Sequence, residues 1–206
     1  MTTFDNPRDT WNQRYADATY LFGEAPNDFL RNAARHLAAG QSALCVADGE
    51  GRNSVWLAER GLRVTAFDFA PNAVEKARQL ARRRNVSVDH RVDDLQTWHT
   101  EADAFDAVVA IFIQFLAADE RDLAFARMQS AVKPGGLFLL EGYGPAQLQY
   151  GTGGPGVLEN LYTRAWVERA FAGWQILELR EYDAVLNEGS RHTGMSALVD
   201  LVARKA

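Results

Sequence analysis

With 206 residues, 47% of them hydrophobic and 24% charged, the chain has the size and composition of one ordinary globular domain with a sizeable core. Its net charge of −5 argues against a nucleic-acid partner, and no apolar run approaches the roughly 20 residues that span a bilayer. The start, MTTFDNPRDTW, lacks the apolar core of a signal peptide, and the single cysteine, Cys45, excludes an intrachain disulfide; the cytoplasm is the expected location, and Cys45 is expected to be inert packing.

In chain order, residues 5–40 are amphipathic with helical period, and an aromatic loop surrounds Tyr20-Leu21-Phe22-Gly23. Strands are expected at 43–47, 63–67, 87–91, 105–110 and 136–141, and helices at 52–60, 71–84 and 119–131. Pro71 suits the first turn of its helix, and Lys133-Pro134-Gly135-Gly136 breaks the chain before the fifth strand. Residues 142–157 hold six glycines and two prolines and form a loop, long enough to suggest function. A helix over 163–171 precedes two strands, about 174–186 and 192–204, joined by a hairpin turn at Asn187-Glu188-Gly189-Ser190. The alternation predicts a single-domain α/β fold, 1–206. Its seven-stranded, Rossmann-like sheet is mostly parallel, with an antiparallel C-terminal hairpin and helices on both faces. Arg82-Arg83-Arg84, ending a helix, reads as a solvated face.

The chemistry concentrates between Ser42 and Ala70. Strand, glycine turn (Asp48-Gly49-Glu50-Gly51), helix, strand and terminal acid (Asp68) together make a βαβ unit that can hold a nucleoside at the strand ends. A dinucleotide would bring a pyrophosphate to this turn, where Asp48 and Glu50 repel it, and the third glycine of G-x-G-x-x-G is missing. A ligand carrying an ammonium or sulfonium group suits those carboxylates, and S-adenosylmethionine (SAM) carries both.

At these residues the chain resembles class I SAM-dependent methyltransferases, in particular the small tellurite-resistance-like and thiopurine-methyltransferase-like branch. The resemblance rests on Trp11-x-x-Arg14-Tyr15, Gly49-x-Gly51-Arg52-Asn53-Ser54, Asp68, Asp94-Leu95 and Lys133-Pro134-Gly135-Gly136, and it covers essentially the whole chain. It implies a SAM-binding transferase in which Gly49, Glu50, Gly51 and Asn53 belong to the turn lining the methionine part. Asp68 would hold the ribose hydroxyls and Phe69 the adenine face. Asp94, or Asp93 if the register shifts by one, would bond the adenine amino group beside Leu95. Ala110, Ile111 and Phe112 would lie under the methionine, and Trp11, Arg14 and Tyr15, in a helical cap over 1–40, would cover the cofactor. The chain departs from the pattern at Cys45 and Ala47, which stand where the resemblance expects an acid and a glycine; Asp48 is then a candidate for the methionine amine.

His36, His90, His99 and His192 have no metal-ligand spacing, and no metal is expected. In the 142–157 active-site loop, Gln147, Gln149 and Tyr150 are candidates for acceptor contact, as is His192 after the hairpin turn. Phe112, Phe115, Tyr143 and Tyr150 could wall the acceptor pocket. No catalytic residue stands out, as suits transfer of an already activated methyl group to a small-molecule acceptor such as a thiol or a metalloid oxyanion. A non-catalytic SAM- or nucleoside-binding sensor stays open as the alternative, and the sequence leaves the oligomeric state open.

Overall fold

In a computed structural model, residues 7–206 are described; the first six residues of the expected cap lie outside the described residues. Helices α1 (Pro7–Arg14) and α2 (Asp28–Ala33) precede strand β1 (Ser42–Val46). Then come α3 (Arg52–Glu59), β2 (Arg63–Asp68), α4 (Pro71–Arg83), β3 (Val88–Val92), β4 (Phe105–Ile111), α5 (Ala118–Ala131) and β5 (Val132–Tyr143). The chain closes with α6 (Gln147–Tyr150), α7 (Arg164–Ala170), β6 (Gln175–Glu188) and β7 (His192–Arg204). One seven-stranded sheet runs β3-β2-β1-β4-β5-β7-β6, parallel through β5, with β7 antiparallel to β5 and β6 antiparallel to β7. The expected fold class is therefore observed.

Period-two alternation divides the core between the sheet's faces. Leu44, Val46, Val108, Ala110, Phe138, Leu140, Val199 and Leu201 pack with α5 and α7 on one face. Ala43, Cys45, Ala66, Ala107, Val109, Leu137 and Leu139 pack with α2 and α3 on the other. Burial on both faces explains why these strands read as continuous apolar runs. Cys45, 1% exposed, is part of this packing. Pro71 occupies the start of α4, where its missing N–H costs no helical bond. Arg82, Arg83 and Arg84 are exposed and paired with Glu75, Glu24 and Glu59.

Three boundaries differ from expectation. Lys133 to Gly136 does not precede β5 but forms an irregularity within it, where pairing jumps from Phe105–Val132 to Ala107–Leu137. The C-terminal turn is shorter than the sequence suggested, because Glu188 stays in β6 opposite His192. The N-terminal segment joins two short helices through turns and bends over residues 15–27, its apolar residues anchored by tertiary contacts rather than by helical pairing. Among the described residues no helix is long and apolar enough to cross a membrane.

β1 lies between β2 and β4, so the chain leaves the first half of the sheet on one side of β1 and begins the second half on the other. The crevice beyond the carboxyl ends of β1 and β4 is where ligands bind in open α/β sheets.

Candidate functional site

The turn after β1 is shaped largely by its own chain. Ala47 has φ 47°, a left-handed conformation that costs a non-glycine residue roughly 1–2 kcal/mol. Gly49 and Gly51 also have positive φ. A Cβ at Gly49 would lie 3.3 Å from the Tyr15 hydroxyl, and one at Gly51 would lie 2.7 Å from the Ala77 Cβ on α4. Gly51 thus permits the close approach of the turn to α4. Gly51→Ala is expected to lower stability by about 2–4 kcal/mol through overpacking and backbone strain. Urea denaturation measures it, and an unchanged midpoint would contradict this role.

Asp48 accepts hydrogen bonds from the Ser54 backbone N–H (3.3 Å) and from the Ser54 hydroxyl, which also lies 3.2 Å from His90 Nε2. Burial pushes Asp48 up to about 7, with the Ser54 bonds partly offsetting it. Because the folded value exceeds the ordinary 3.8, this group's contribution to stability is full below pH 4 and is lost as pH rises through 7. Asp48→Asn should therefore gain stability relative to the parent between pH 5 and 8, by about 2–4 kcal/mol. Thermal melts across that range measure the difference; a constant gap would contradict it.

Glu50 and Asn53 correct the sequence reading. Glu50, 3% exposed, accepts from the backbone N–H of Leu21 (2.8 Å) and Phe22 (3.4 Å), and its other oxygen lies 2.5 Å from Lys76 Nζ. Its charge is neutralised within the fold and ties the N-terminal segment to α4. Asn53 Oδ1 accepts from the Asn27 N–H at 3.0 Å, another tie to that segment. These two side chains tie the N-terminal segment to the turn and to α4.

A cavity of about 420 Å³ opens at the crevice, lined by Arg8, Trp11, Ala47, Phe67, Phe69, Asp93, Asp94, Leu95, Gln96, Phe115, Leu116 and Glu120. Of the expected cofactor residues it gathers Trp11, Phe69, Asp94 and Leu95, with Asp93 alongside. Asp68 lies between wall residues Phe67 and Phe69 but is 4% exposed. Its oxygens accept from Gly49 N–H and Ala70 N–H, both at 2.9 Å. Burial raises its pKa to about 6, against those N–H bonds. Each oxygen keeps acceptor capacity beyond the bond described.

Sequence reading missed Arg8, Gln96, Leu116 and Glu120, and it offered Phe115 as a wall of the acceptor pocket rather than of this cavity. Gln96 adjoins Leu95 and was within reach of the motif. Phe115 and Leu116 arrive from the β4–α5 connection and Glu120 from the first turn of α5, a stretch that carried no motif. Phe115 is parallel to Phe69 (4° between planes, centroids 6.4 Å apart). Arg8 donates to the Phe69 carbonyl at 2.9 Å.

Tyr15 stacks on Trp11 at 5.7 Å, and the Arg14 guanidinium lies 4.7 Å from the Trp11 ring. Ala110 and Ile111 do not line the cavity: Ala110 is fully buried in the core, and Ile111 packs against the opposite face. Phe112, at φ 55°, turns out of the sheet instead and meets His192 (4.3 Å) and Tyr143 (4.7 Å). Gln147 is also corrected. It is 1% exposed, donates to Thr152 Oγ1 and the Gly153 carbonyl, and accepts from the Ala197 N–H, so it holds the loop to β7. Tyr150 is half-buried, and its hydroxyl donates to Asp183 at 2.8 Å.

Residues 43–136 match the profile of the methyltransferase domain family. This segment is a methyltransferase domain. The chain is 39% identical over 90 residues to a ubiquinone biosynthesis O-methyltransferase of Methylocella silvestris, covering 43% of this chain and 34% of that protein. Across the curated relatives of that name, the chain spans between 34% and 53% of their length. The fold is similar to N-methyltransferase NodS from Bradyrhizobium japonicum in complex with S-adenosyl-L-homocysteine (SAH): TM-score 0.75, 16% identity, 98% of this chain and 99% of that one. It is also similar to TehB from Haemophilus influenzae: TM-score 0.72, 17% identity, 97% and 67% coverage. The methyltransferase domain encloses most of the cavity wall, whereas Arg8 and Trp11 come from outside the matched segment.

Proposed function

We propose that the whole chain is a SAM-dependent methyltransferase acting on a small-molecule acceptor. The observation that carries this reading is the aromatic and acidic cavity at the β1/β4 crevice of the methyltransferase domain. Its walls suit the adenosine of SAM. Phe69 and Phe115 offer flat apolar faces for the base, Asp94 or Asp93 an acceptor for its amino group, and Asp68 a buried acceptor near the ribose. Asp48 is the remaining acid of the turn for the methionine amine, while Gly49, Glu50, Gly51 and Asn53 shape and anchor that turn. Trp11, Arg14 and Tyr15 close the site from the N-terminal cap, within a single domain. The bound cofactor supplies a methyl group already activated as an electrophile. The chain's own residues need to position the acceptor and exclude water.

The acceptor is a thiol, a metalloid oxyanion or a hydroxyl. The name of the curated relatives supports oxygen, and that of the tellurite-resistance-like branch supports the metalloid. Tyr150 and His192 are the residues of the acceptor side. We place the protein in the cytoplasm with no nucleic-acid partner, consistent with its acidic balance. Incubation with SAM and an acceptor panel, followed by quantification of SAH, tests the reading. Acceptor-dependent SAH is expected. Tight SAM binding with no SAH from any acceptor would make the chain a sensor module instead.

A further inference from the structure

His192 starts β7 with its ring packed against Phe22 (4.5 Å), Phe112 (4.3 Å) and, edge-on, Tyr143 (6.1 Å). Its Nδ1 lies 3.4 Å from Glu188 Oε2 across the end of the β6–β7 hairpin. That carboxylate is held from every side. Arg52 on α3 donates to Oε2 at 2.8 Å, and Oε1 accepts from Asn27 Nδ2 at 3.0 Å and from the Asp28 N–H at 3.4 Å. Glu188 and Arg52 are both buried, whereas the His192 side chain keeps 13% of its surface exposed. Among the described residues, no partner is seen for His192 Nε2. A carboxylate can only accept, so beside it neutral imidazole places its proton on Nδ1 and presents a bare lone pair at Nε2.

We propose that Glu188 is the positioning residue for His192, holding Nε2 as the proton acceptor for a neutral, proton-bearing methyl acceptor: an aromatic hydroxyl or thiol rather than an oxyanion. This rests on the methyltransferase reading of the site. The acceptor's O–H or S–H bond breaks, and its proton passes to Nε2. The freed pair forms the new bond to the methyl carbon as the carbon–sulfur bond of the cofactor breaks with its electrons returning to sulfur. Imidazolium then releases the proton to solvent. Glu188 stabilises that imidazolium. The rings of Phe22, Phe112 and Tyr143 offer flat apolar contacts to a planar acceptor. An oxyanion finds less here, because Arg52, the cation meeting this cluster among the described residues, is already neutralised by Glu188. The charged and titratable groups acting on His192 are Glu188 from β6, Arg52 from α3 and the phenol of Tyr143 on β5. Burial and Arg52 hold the imidazole below its ordinary pKa of 6.5 despite Glu188, so it is neutral at pH 7.

Nitrogen-15 NMR of the histidines, assigned with His192→Gln, reads the tautomer without turnover. The parent should show the Nδ1–H form at His192, and Glu188→Gln should shift the population towards Nε2–H. With catechol, thiophenol and selenite as probe acceptors, the parent should methylate the first two. Glu188→Gln and His192→Gln should each lower kcat by about tenfold to a thousandfold, the scale of general base catalysis, with KM for SAM unchanged. Glu188→Asp should recover part of the rate. His192→Gln leaves the Arg52–Glu188 pair intact and serves if the Glu188 variant fails to fold. An Nε2–H tautomer in the parent, turnover of selenite alone, or full activity in His192→Gln would overturn the proposal. Absence of SAM binding would instead sink the methyltransferase reading and leave the tautomer result standing on its own.

Discussion

Asp68→Ala is expected to lower SAM affinity by about 1–3 kcal/mol, roughly fivefold to 150-fold, and to lower the stability of the free protein by about 2–4 kcal/mol. Both effects follow from one carboxylate. In the free protein it accepts the N–H groups of Gly49 and Ala70, which fixes the β1 turn against the end of β2. Alanine leaves two buried donors unpaired, at about 1–3 kcal/mol each. Part of that loss is offset because the native fold also holds a desolvated acid, whose pKa burial raises to about 6. Stability and binding should therefore respond oppositely to pH. The acid favours the fold most below pH 4 and loses that contribution as pH rises through 6. An acceptor for ribose hydroxyls strengthens as it ionises, so SAM affinity should rise over the same interval. Calorimetric titration at pH 5 and pH 8, with urea melts of both proteins, separates the two effects. Unchanged affinity in the alanine variant would show that the ribose lies elsewhere.

Lys76→Ala should destabilise the protein by about 3–5 kcal/mol, the cost of leaving a buried carboxylate without its partner. The Lys76 and Glu50 side chains are 9% and 2% exposed. Lys76 also donates to the carbonyls of Asp17 (2.8 Å) and Thr19 (2.7 Å), while Glu50 receives the Leu21 N–H. Loss of the ammonium frees the 17–22 stretch along with the ion pair. SAM affinity should fall as well, because Trp11 packs on Phe22 and lines the cavity. The double variant Glu50→Gln/Lys76→Met should recover much of the stability, since it removes the stranded charge. A loss in the double variant equal to the sum of the losses in Glu50→Gln and Lys76→Met alone would show that no coupling exists between the two residues.

The fold was legible wherever the chain is governed by local chemistry. Buried parallel strands announced themselves as apolar runs, Pro71 marked the start of α4, and the alternation of elements implied the sheet. Boundaries failed where pairing overrides local signals: Pro134 and Gly135 lie within a strand, and β6 runs two residues into the stretch whose residues suggested a turn. The site was legible where motif residues stand at strand ends, as Phe69, Asp94 and Leu95 do. Charge was harder to read. Asp48 and Glu50 looked alike, both suited to a cation, but Glu50 is neutralised by Lys76, 26 positions away and carrying no motif. Gln147 likewise looked free in a glycine-rich loop, yet β7 claims its carbonyl. The Glu188–Arg52–His192 cluster joins a helix near the start to a hairpin near the end, and nothing local to either segment announces the meeting.

In a crystal structure of the protein with SAH bound, the adenine should lie against Phe69, across from Phe115, with its amino group towards Asp94 or Asp93 and Trp11 over the cavity mouth. SAH bound at any other place, or a cavity left empty at saturating SAH, would contradict this placement.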